Sequence, residues 1–436
     1  MQVPMPSKFT VTPGGTAQGE ITVPGDKSIS HRSIIFAALA NGISHINGFL
    51  EGEDCLATLN AFTAMRVNIE HPAAGQLVIH GVGKHGLQIP SHALDLGNSG
   101  TSMRLLVGLL AGAAIATELT GDSSLVRRPM GRVTKPLRLM GAEITSTDAG
   151  TAPLHIQPNK PLTGIEYTLP VASAQVKSCL LLAGMYARGQ TTITEPAITR
   201  DHTERMLRAF NYPFEQRGKT ITINNEAELT ATEINVPGDI SSAAFFMVAA
   251  CIAHEGHLRL RNVGINPTRI GVITILREMG ASITLQDERM VGGEPVADIV
   301  VEASELKGIV IPEDQVSLAI DEFPVLFVAA ACAEGTTVLS GAAELRVKES
   351  DRLQVMAVGL QRLGIQAELQ PDGIVIQGGT LQGGEVDSHG DHRIAMAFAV
   401  AGLRAQGTIV INDCDNVATS FPNFMALAQD VGLAIQ

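Results

Sequence analysis

The phrase Ile21-Thr22-Val23-Pro24-Gly25-Asp26-Lys27-Ser28-Ile29-Ser30 returns in the second half of the chain as Ile234-Asn235-Val236-Pro237-Gly238-Asp239-Ile240-Ser241-Ser242-Ala243. Both copies run from an alternating apolar stretch through a rigid Pro-Gly turn into a helix start, whose free N–H groups can face an anion. Only the first copy carries a lysine, Lys27. The shared part therefore predicts architecture, and the unshared lysine predicts chemistry.

The repetition goes deeper. A helix that ends in a turn residue and runs into a strand recurs as FTAMRVNIE (62–70), LRLMGAEIT (137–145), LRAFNYPFE (207–215), LREMGASIT (276–284), LQRLGIQAE (360–368) and LAQDVGLAI (427–435), roughly 70 residues apart. Gly141, Gly280, Gly364 and Gly432 stand where a helix C-terminus favours a left-handed residue. Six such units define the fold. The sixth stops at Gln436 before its closing strand, and the alternating segment KFTVTPG (8–14) supplies a matching strand. The expectation is an α/β protein of two domains, three repeats each, in keeping with 436 residues. One domain is discontinuous, 1–20 plus 235–436, the other is 21–234, and the hinge lies near 20–22 and 234–238.

Six helices open these units, at residues 25–32, 97–104, 172–178, 238–244, 320–326 and 390–396, and continue almost wholly apolar. A helix apolar on every side is buried on every side. Three such helices running parallel in each domain would bring their N-termini to one face, each contributing roughly 0.3–1 kcal/mol for a nearby anion.

Cations gather at these starts. Lys27, Ser28, Ser30 and Arg32 fall within two turns; as plain cap and surface residues they would oppose the helix dipole, a conflict that a bound phosphate removes. Arg127, Arg128 and Arg132 crowd one loop, which is either solvated or an anion grip. Arg346, Lys348, Glu349, Asp351 and Arg352 alternate charge between a strand and a helix, an arrangement that suits cations holding an anion while Glu349 moves a proton. Asp321-Glu322 and Asp391-His392-Arg393 open two further helices; an Asp there is as often a structural cap as a functional group.

The net charge of −13 argues against a nucleic-acid surface. No zinc spacing, Walker loop or dinucleotide fingerprint occurs, so neither metal nor cofactor is expected. The five scattered cysteines suit buried reduced thiols in the cytoplasm. The N-terminal segment has no charged start leading into an apolar stretch, and the longest apolar run, 105–116, is too short to span a bilayer, so neither export nor membrane insertion is expected.

PGDKSISHR, GNSGTSMR, RPMGRV, SAQVKS, TRDHTE, IDEFP, RVKESDR and GDHRIAM occur in this order along the chain. In this the sequence resembles the 5-enolpyruvylshikimate-3-phosphate synthases, an enolpyruvyl transferase family. The resemblance implies transfer of the enolpyruvyl group of phosphoenolpyruvate to the 5-hydroxyl of shikimate 3-phosphate, with release of phosphate, by a monomeric enzyme folded as an inside-out α/β barrel that closes on its substrates. It implies that Lys27, Gly100, Arg128, Gln175, Arg352 and Arg393 hold phosphoenolpyruvate. Lys27, Ser28, Arg32, Ser173, Ala174, Gln175, Arg200, Asp321 and Lys348 would hold shikimate 3-phosphate. Asp321, as base for the 5-hydroxyl, Glu349, as acid and then base at the enol carbon, and Lys27 are the implied catalytic groups. Two departures stand out: Thr419 replaces a lysine of many relatives and, with RPMGRV and SAQVKS, points to the second, often glyphosate-tolerant class, whereas Gly100 replaces the alanine of well-known tolerant relatives.

The cations around Glu349 should keep it ionised, and anionic substrates should raise its pKa again, so its acidity is expected only with both substrates bound. Cations facing an empty cleft would repel, and bound anions would close it. Among rivals, a UDP-N-acetylglucosamine enolpyruvyl transferase needs a reactive cysteine in the loop corresponding to Gly121–Arg128, where serines stand here. An RNA 3′-phosphate cyclase is disfavoured by the acidic charge, and a non-catalytic anion-binding repeat protein leaves Asp321 and Glu349 unexplained.

Overall fold

The structure, a computed structural model, describes residues 7–158 and 160–436. The first six residues, which the sequence reading assigns to the discontinuous domain and to a non-exported N-terminus, lie outside the described residues. The chain is of mixed α/β class and separates into two compact units. One comprises Lys27–Val236; the other joins the described residues through Asp26 to Pro237–Gln436.

In the Lys27–Val236 unit, the helices Lys27–Leu39, Gly100–Gly112 and Ala174–Gly184 form the core and are buried over most of their length. The latter two cross closely at Gly108, where a Cβ would lie 2.2 Å from the Cys179 carbonyl oxygen, so only glycine fits. Three sheets cover this core, and their inward faces alternate as half-buried strands should.

In the other unit the helices Ile240–Ile252, Phe323–Cys332 and His392–Ala401 pack against one another. Every residue of Ile240–Ile252 is buried. Three further sheets surround them. Strand Lys8–Gly15 lies inside one of these, antiparallel to both Ile409–Asn412 and Leu433–Ile435, with Phe9 opposite Ile411. Phe9 and Val11 are buried, each contributing roughly 1.5–3 kcal/mol, and the Phe9 ring meets Phe424 at 6.2 Å. Strand Ala17–Ile21 pairs in parallel with Gly256–Gly264, which keeps the chain in this unit as far as Asp26.

The recurring helix ends share one geometry. Gly141, Gly280, Gly364 and Gly432 have positive φ, and so do Arg66 and Asn211 at the equivalent places. At five of them the next residue's N–H bonds a carbonyl five residues back: Val67 to Phe62, Ala142 to Leu137, Tyr212 to Leu207, Ala281 to Leu276 and Ile365 to Leu360. This is the Schellman closure, which satisfies the last carbonyls as the chain turns into its strand.

Candidate active site

Within the Lys27–Val236 unit, the assigned residues stand at or just after helix starts. Ser99 and Ser173 cap their helices by accepting from the N–H groups of Ser102 and Val176. Ser173 and Ala174 are thereby fixed at the start of Ala174–Gly184. Lys27 reaches the start of the neighbouring helix Glu53–Ala64, its ammonium 2.6 Å from Asp54 Oδ2. Arg32 is buried and donates to three neutral acceptors: Nε to Thr203 Oγ1 at 2.8 Å, Nη2 to Ser178 Oγ at 2.8 Å and Nη1 to the Ser28 carbonyl at 3.0 Å. Behind it Lys177, buried with Glu195 and Glu204 at 3.0 and 2.7 Å, ties the Ala174–Gly184 helix to the segment carrying Thr199 and Arg200. Arg200 itself is half-buried just ahead of helix His202–Ala209. Burial, and then the charges of Lys27 and Arg32, hold the imidazole of His31 well below its ordinary pKa, so it is neutral; its Nδ1 pairs with Thr58 Oγ1 at 2.8 Å.

Gly100, Arg128 and Gln175 come together around a residue that sequence reasoning missed. Arg104 Nη1 donates to Gln175 Oε1 at 2.5 Å, and Gln175 Nε2 donates to Thr101 Oγ1 at 3.0 Å. A Cβ on Gly100 would stand 3.0 Å from Arg128 Nη1 and 3.3 Å from Arg104 Nη1. Arg128 is further held by Asn98 Oδ1 at 2.6 Å, and Asn98 by Asp122 at 2.7 Å. Arg104 lies one turn beyond Gly100 in the same motif, so its spacing was a usable signal.

The other unit gathers Asp321, Lys348, Glu349, Arg352 and Arg393 into one cluster. Its hub is the guanidinium of Arg352, 1% exposed, which meets Glu349 Oε2 at 2.6 Å, Asp321 Oδ1 at 3.3 Å and both oxygens of Asp391, at 2.8 and 3.2 Å. Burial alone would lower its pKa, but the charges of Asp391, Glu349 and Asp321 outweigh burial and raise it, so the group stays cationic. Lys348 Nζ lies 3.3 Å from Asp321 Oδ1, and Arg393 donates to the Asp321 carbonyl at 3.0 Å. Asp391 fills both roles left open for it: it caps His392–Ala401 by accepting from the Arg393 N–H and it pairs with Arg352. The N-cap position of Phe323–Cys332 falls on Glu322, one residue past Asp321, whose carboxylate meets Lys348 and Arg352.

Thr419, where the resemblance sets a lysine in many relatives, is buried and donates to the Asn416 carbonyl within its own turn. All five cysteines are free thiols, none of them in the Gly121–Arg128 loop, and burial pushes Cys251, Cys332 and Cys414 up to about 12. Such thiols are inert at neutral pH. Among the described residues no helix is long and apolar enough to cross a membrane, and no group of His, Cys, Asp and Glu could hold a metal ion.

Comparison with known proteins bears directly on these clusters. Residues 11–427 match the family described as EPSP synthase (3-phosphoshikimate 1-carboxyvinyltransferase). A 3-phosphoshikimate 1-carboxyvinyltransferase of Methylococcus capsulatus is 64% identical over 428 residues, covering 98% of each chain. One from Nitrosococcus oceani is 62% identical over 98% of this chain and 96% of its own. The solved EPSP synthase of Acinetobacter baumannii superposes with a TM-score of 0.88 at 57% identity, over 98% of this chain and 99% of that one. Motif order, fold and sequence identity agree, and the chain belongs to the EPSP synthase family.

Proposed function

We propose that this chain transfers the enolpyruvyl group of phosphoenolpyruvate to the 5-hydroxyl of shikimate 3-phosphate, releasing inorganic phosphate. The observation that carries the mechanism is the pair of carboxylates, Asp321 and Glu349, set on different nitrogens of the buried Arg352 guanidinium. Simple anion binding has no use for two acids beside the cations.

In this reading the 5-hydroxyl oxygen bonds to C2 of phosphoenolpyruvate as its C3 gains a proton. Phosphate then leaves C2, and loss of a proton from C3 restores the double bond. Asp321, oriented by Lys348 and Arg352, takes the hydroxyl proton. Glu349 delivers the C3 proton and later removes one. The guanidinium at 2.6 Å favours the Glu349 carboxylate, so Glu349 must gain its proton as the phosphate and carboxylate groups of the substrates offset the surrounding cations. Lys27, Gly100, Arg128, Gln175, Arg352 and Arg393 hold phosphoenolpyruvate. Lys27, Ser28, Arg32, Ser173, Ala174, Gln175, Arg200, Asp321 and Lys348 hold shikimate 3-phosphate. The burial of Arg32 at the start of the first core helix, with Ser28 and Ser178 among its partners, supports this, because a guanidinium fixed there can make charge-assisted bonds to a phosphate.

The same reading takes the two units as domains of three repeats each in an inside-out α/β barrel, hinged near residues 20–22 and 234–238, closing on substrates as a cytoplasmic monomer without cofactor. Three sheets in each unit and six left-handed helix ends support the repeat. The deciding assay is phosphate release from phosphoenolpyruvate with shikimate 3-phosphate or UDP-N-acetylglucosamine as acceptor. Turnover with the first alone is expected; turnover only with the second, or with neither, overturns the proposal.

A further inference from the structure

The two copies of the repeated phrase meet each other. Gly25 and Gly238 form an antiparallel bridge, Asp26 N–H bonds the Pro237 carbonyl at 2.8 Å and Asp239 N–H bonds the Pro24 carbonyl at 2.9 Å. At these points the chain leaves the discontinuous unit for the other and returns to it. One side chain reaches both aspartates. Arg269, 3% exposed, places Nη1 at 3.2 Å from Asp26 Oδ2 and Nη2 at 3.4 Å from Asp239 Oδ1. The same Nη2 donates to Ser241 Oγ at 2.6 Å and lies 3.6 Å from Glu322 Oε1, and the Ser241 hydroxyl in turn bonds Glu322.

Glu322 follows Asp321 in sequence, and its Oε1 is also 3.9 Å from Arg393 Nη1, the nitrogen that donates to the Asp321 carbonyl. A continuous set of contacts thus runs from the crossings through Arg269 and Glu322 to Asp321 and Arg393. The electrostatics run the same way: Asp26, Asp239, Glu322 and Asp321 together outweigh burial and keep Arg269 charged. None of the motifs that marked the site contains Arg269, which lies in the segment Asn266-Pro267-Thr268-Arg269.

We propose that Arg269 is a positioning residue that pins the two chain crossings together and holds, through Glu322, the Asp321 loop and Arg393 in working geometry. This rests on the function proposed above. A planar guanidinium spreads its donors over separate nitrogens and spans acceptors on two sides, whereas a lysine ammonium gathers its donors at one atom, so Arg269→Lys keeps the charge and loses the pin. Asp239→Asn keeps the helix cap, since asparagine caps as well as aspartate, and removes the negative charge that faces Arg269.

The experiment measures kcat and both KM values for the full-length wild type, R269K, D239N and the double variant. Each single variant is expected to lose tenfold or more in kcat and to raise the KM for phosphoenolpyruvate, which Arg393 holds, more than the KM for shikimate 3-phosphate, which has several partners besides Asp321. The double variant should lose no more than R269K alone, because both changes break one device. Wild-type kcat in both single variants, losses that multiply in the double, or equal rises in both KM values would overturn the proposal. Should R269K fail to fold, S241A with D239N provides the same cycle. A wild type inactive with shikimate 3-phosphate would instead defeat the functional reading itself.

Discussion

Replacing Arg352 with alanine tests the idea that one buried cation organises both acids. The guanidinium lies against three carboxylates, of which the Asp391 side chain is 0% exposed, Asp321 13% and Glu349 22%. Removing the arginine leaves Asp391 with the Ser350 hydroxyl and the Arg393 N–H as the remaining donors described for its carboxylate. Breaking a buried pair costs roughly 3–5 kcal/mol, and the two partly exposed acids add less. For a unit of this size that is about 6–20 °C in Tm. Loss of a preorganised cation from the reaction centre should lower kcat on the order of a hundred- to a thousandfold. R352K should recover part of the stability and little of the rate, because the three carboxylates sit on different guanidinium nitrogens and one ammonium cannot span them. Calorimetry and steady-state kinetics suffice. R352A melting within 2 °C of wild type, or keeping kcat within about tenfold, refutes the argument.

His31 gives a pH prediction. Its folded pKa lies well below 6.5, so the unfolded chain binds the extra proton and stability is lost as pH falls below about 6.5, by up to roughly 1.4 kcal/mol per pH unit from this group; H31N should flatten that limb in denaturant titrations, and an unchanged slope contradicts it. G100A should raise the KM for phosphoenolpyruvate several-fold and leave that for shikimate 3-phosphate unchanged, since its methyl would press on Arg128 and Arg104; equal KM values for both enzymes would count against it. R66G should stabilise the protein by about 0.5–1 kcal/mol, because exposed Arg66 holds φ +71° where glycine is unstrained; a melting point at or below that of wild type would show that the arginine side chain compensates.

How far the chain could be read before its structure depended on the range of each interaction. The helix ends at Gly141, Gly280, Gly364 and Gly432 were legible because glycine announces a left-handed turn, whereas Arg66 and Asn211 adopt the same φ without announcing it. The cations Lys27, Arg32, Lys348 and Arg352 were legible because charge at a helix start conflicts with its dipole. Their partners were not. Asp54 meets Lys27, and Asp391 meets Arg352, only after helices distant in sequence have packed. Asp321 was read as a possible cap because it stands at a helix start; the backbone places the N-cap at Glu322, and the Asp321 carboxylate meets Lys348, 27 residues on. Arg104 was inside a quoted motif, and Arg269 lay outside all of them, so only tertiary geometry reveals what either one touches.

Strand Lys8–Gly15 is held on one side by Ile409–Asn412 and on the other by Leu433–Ile435. Both neighbours lie about 400 residues further along the chain, so at about 5–20 residues per second it waits roughly 20–85 s for them on the ribosome. Throughout that interval Phe9 and Val11 are an apolar edge with nothing to pair with, while the intervening unit can already fold. Slow translation therefore lengthens the time in which a nascent chain can aggregate through this edge, and the yield of native protein should respond to synthesis rate even where its final stability does not.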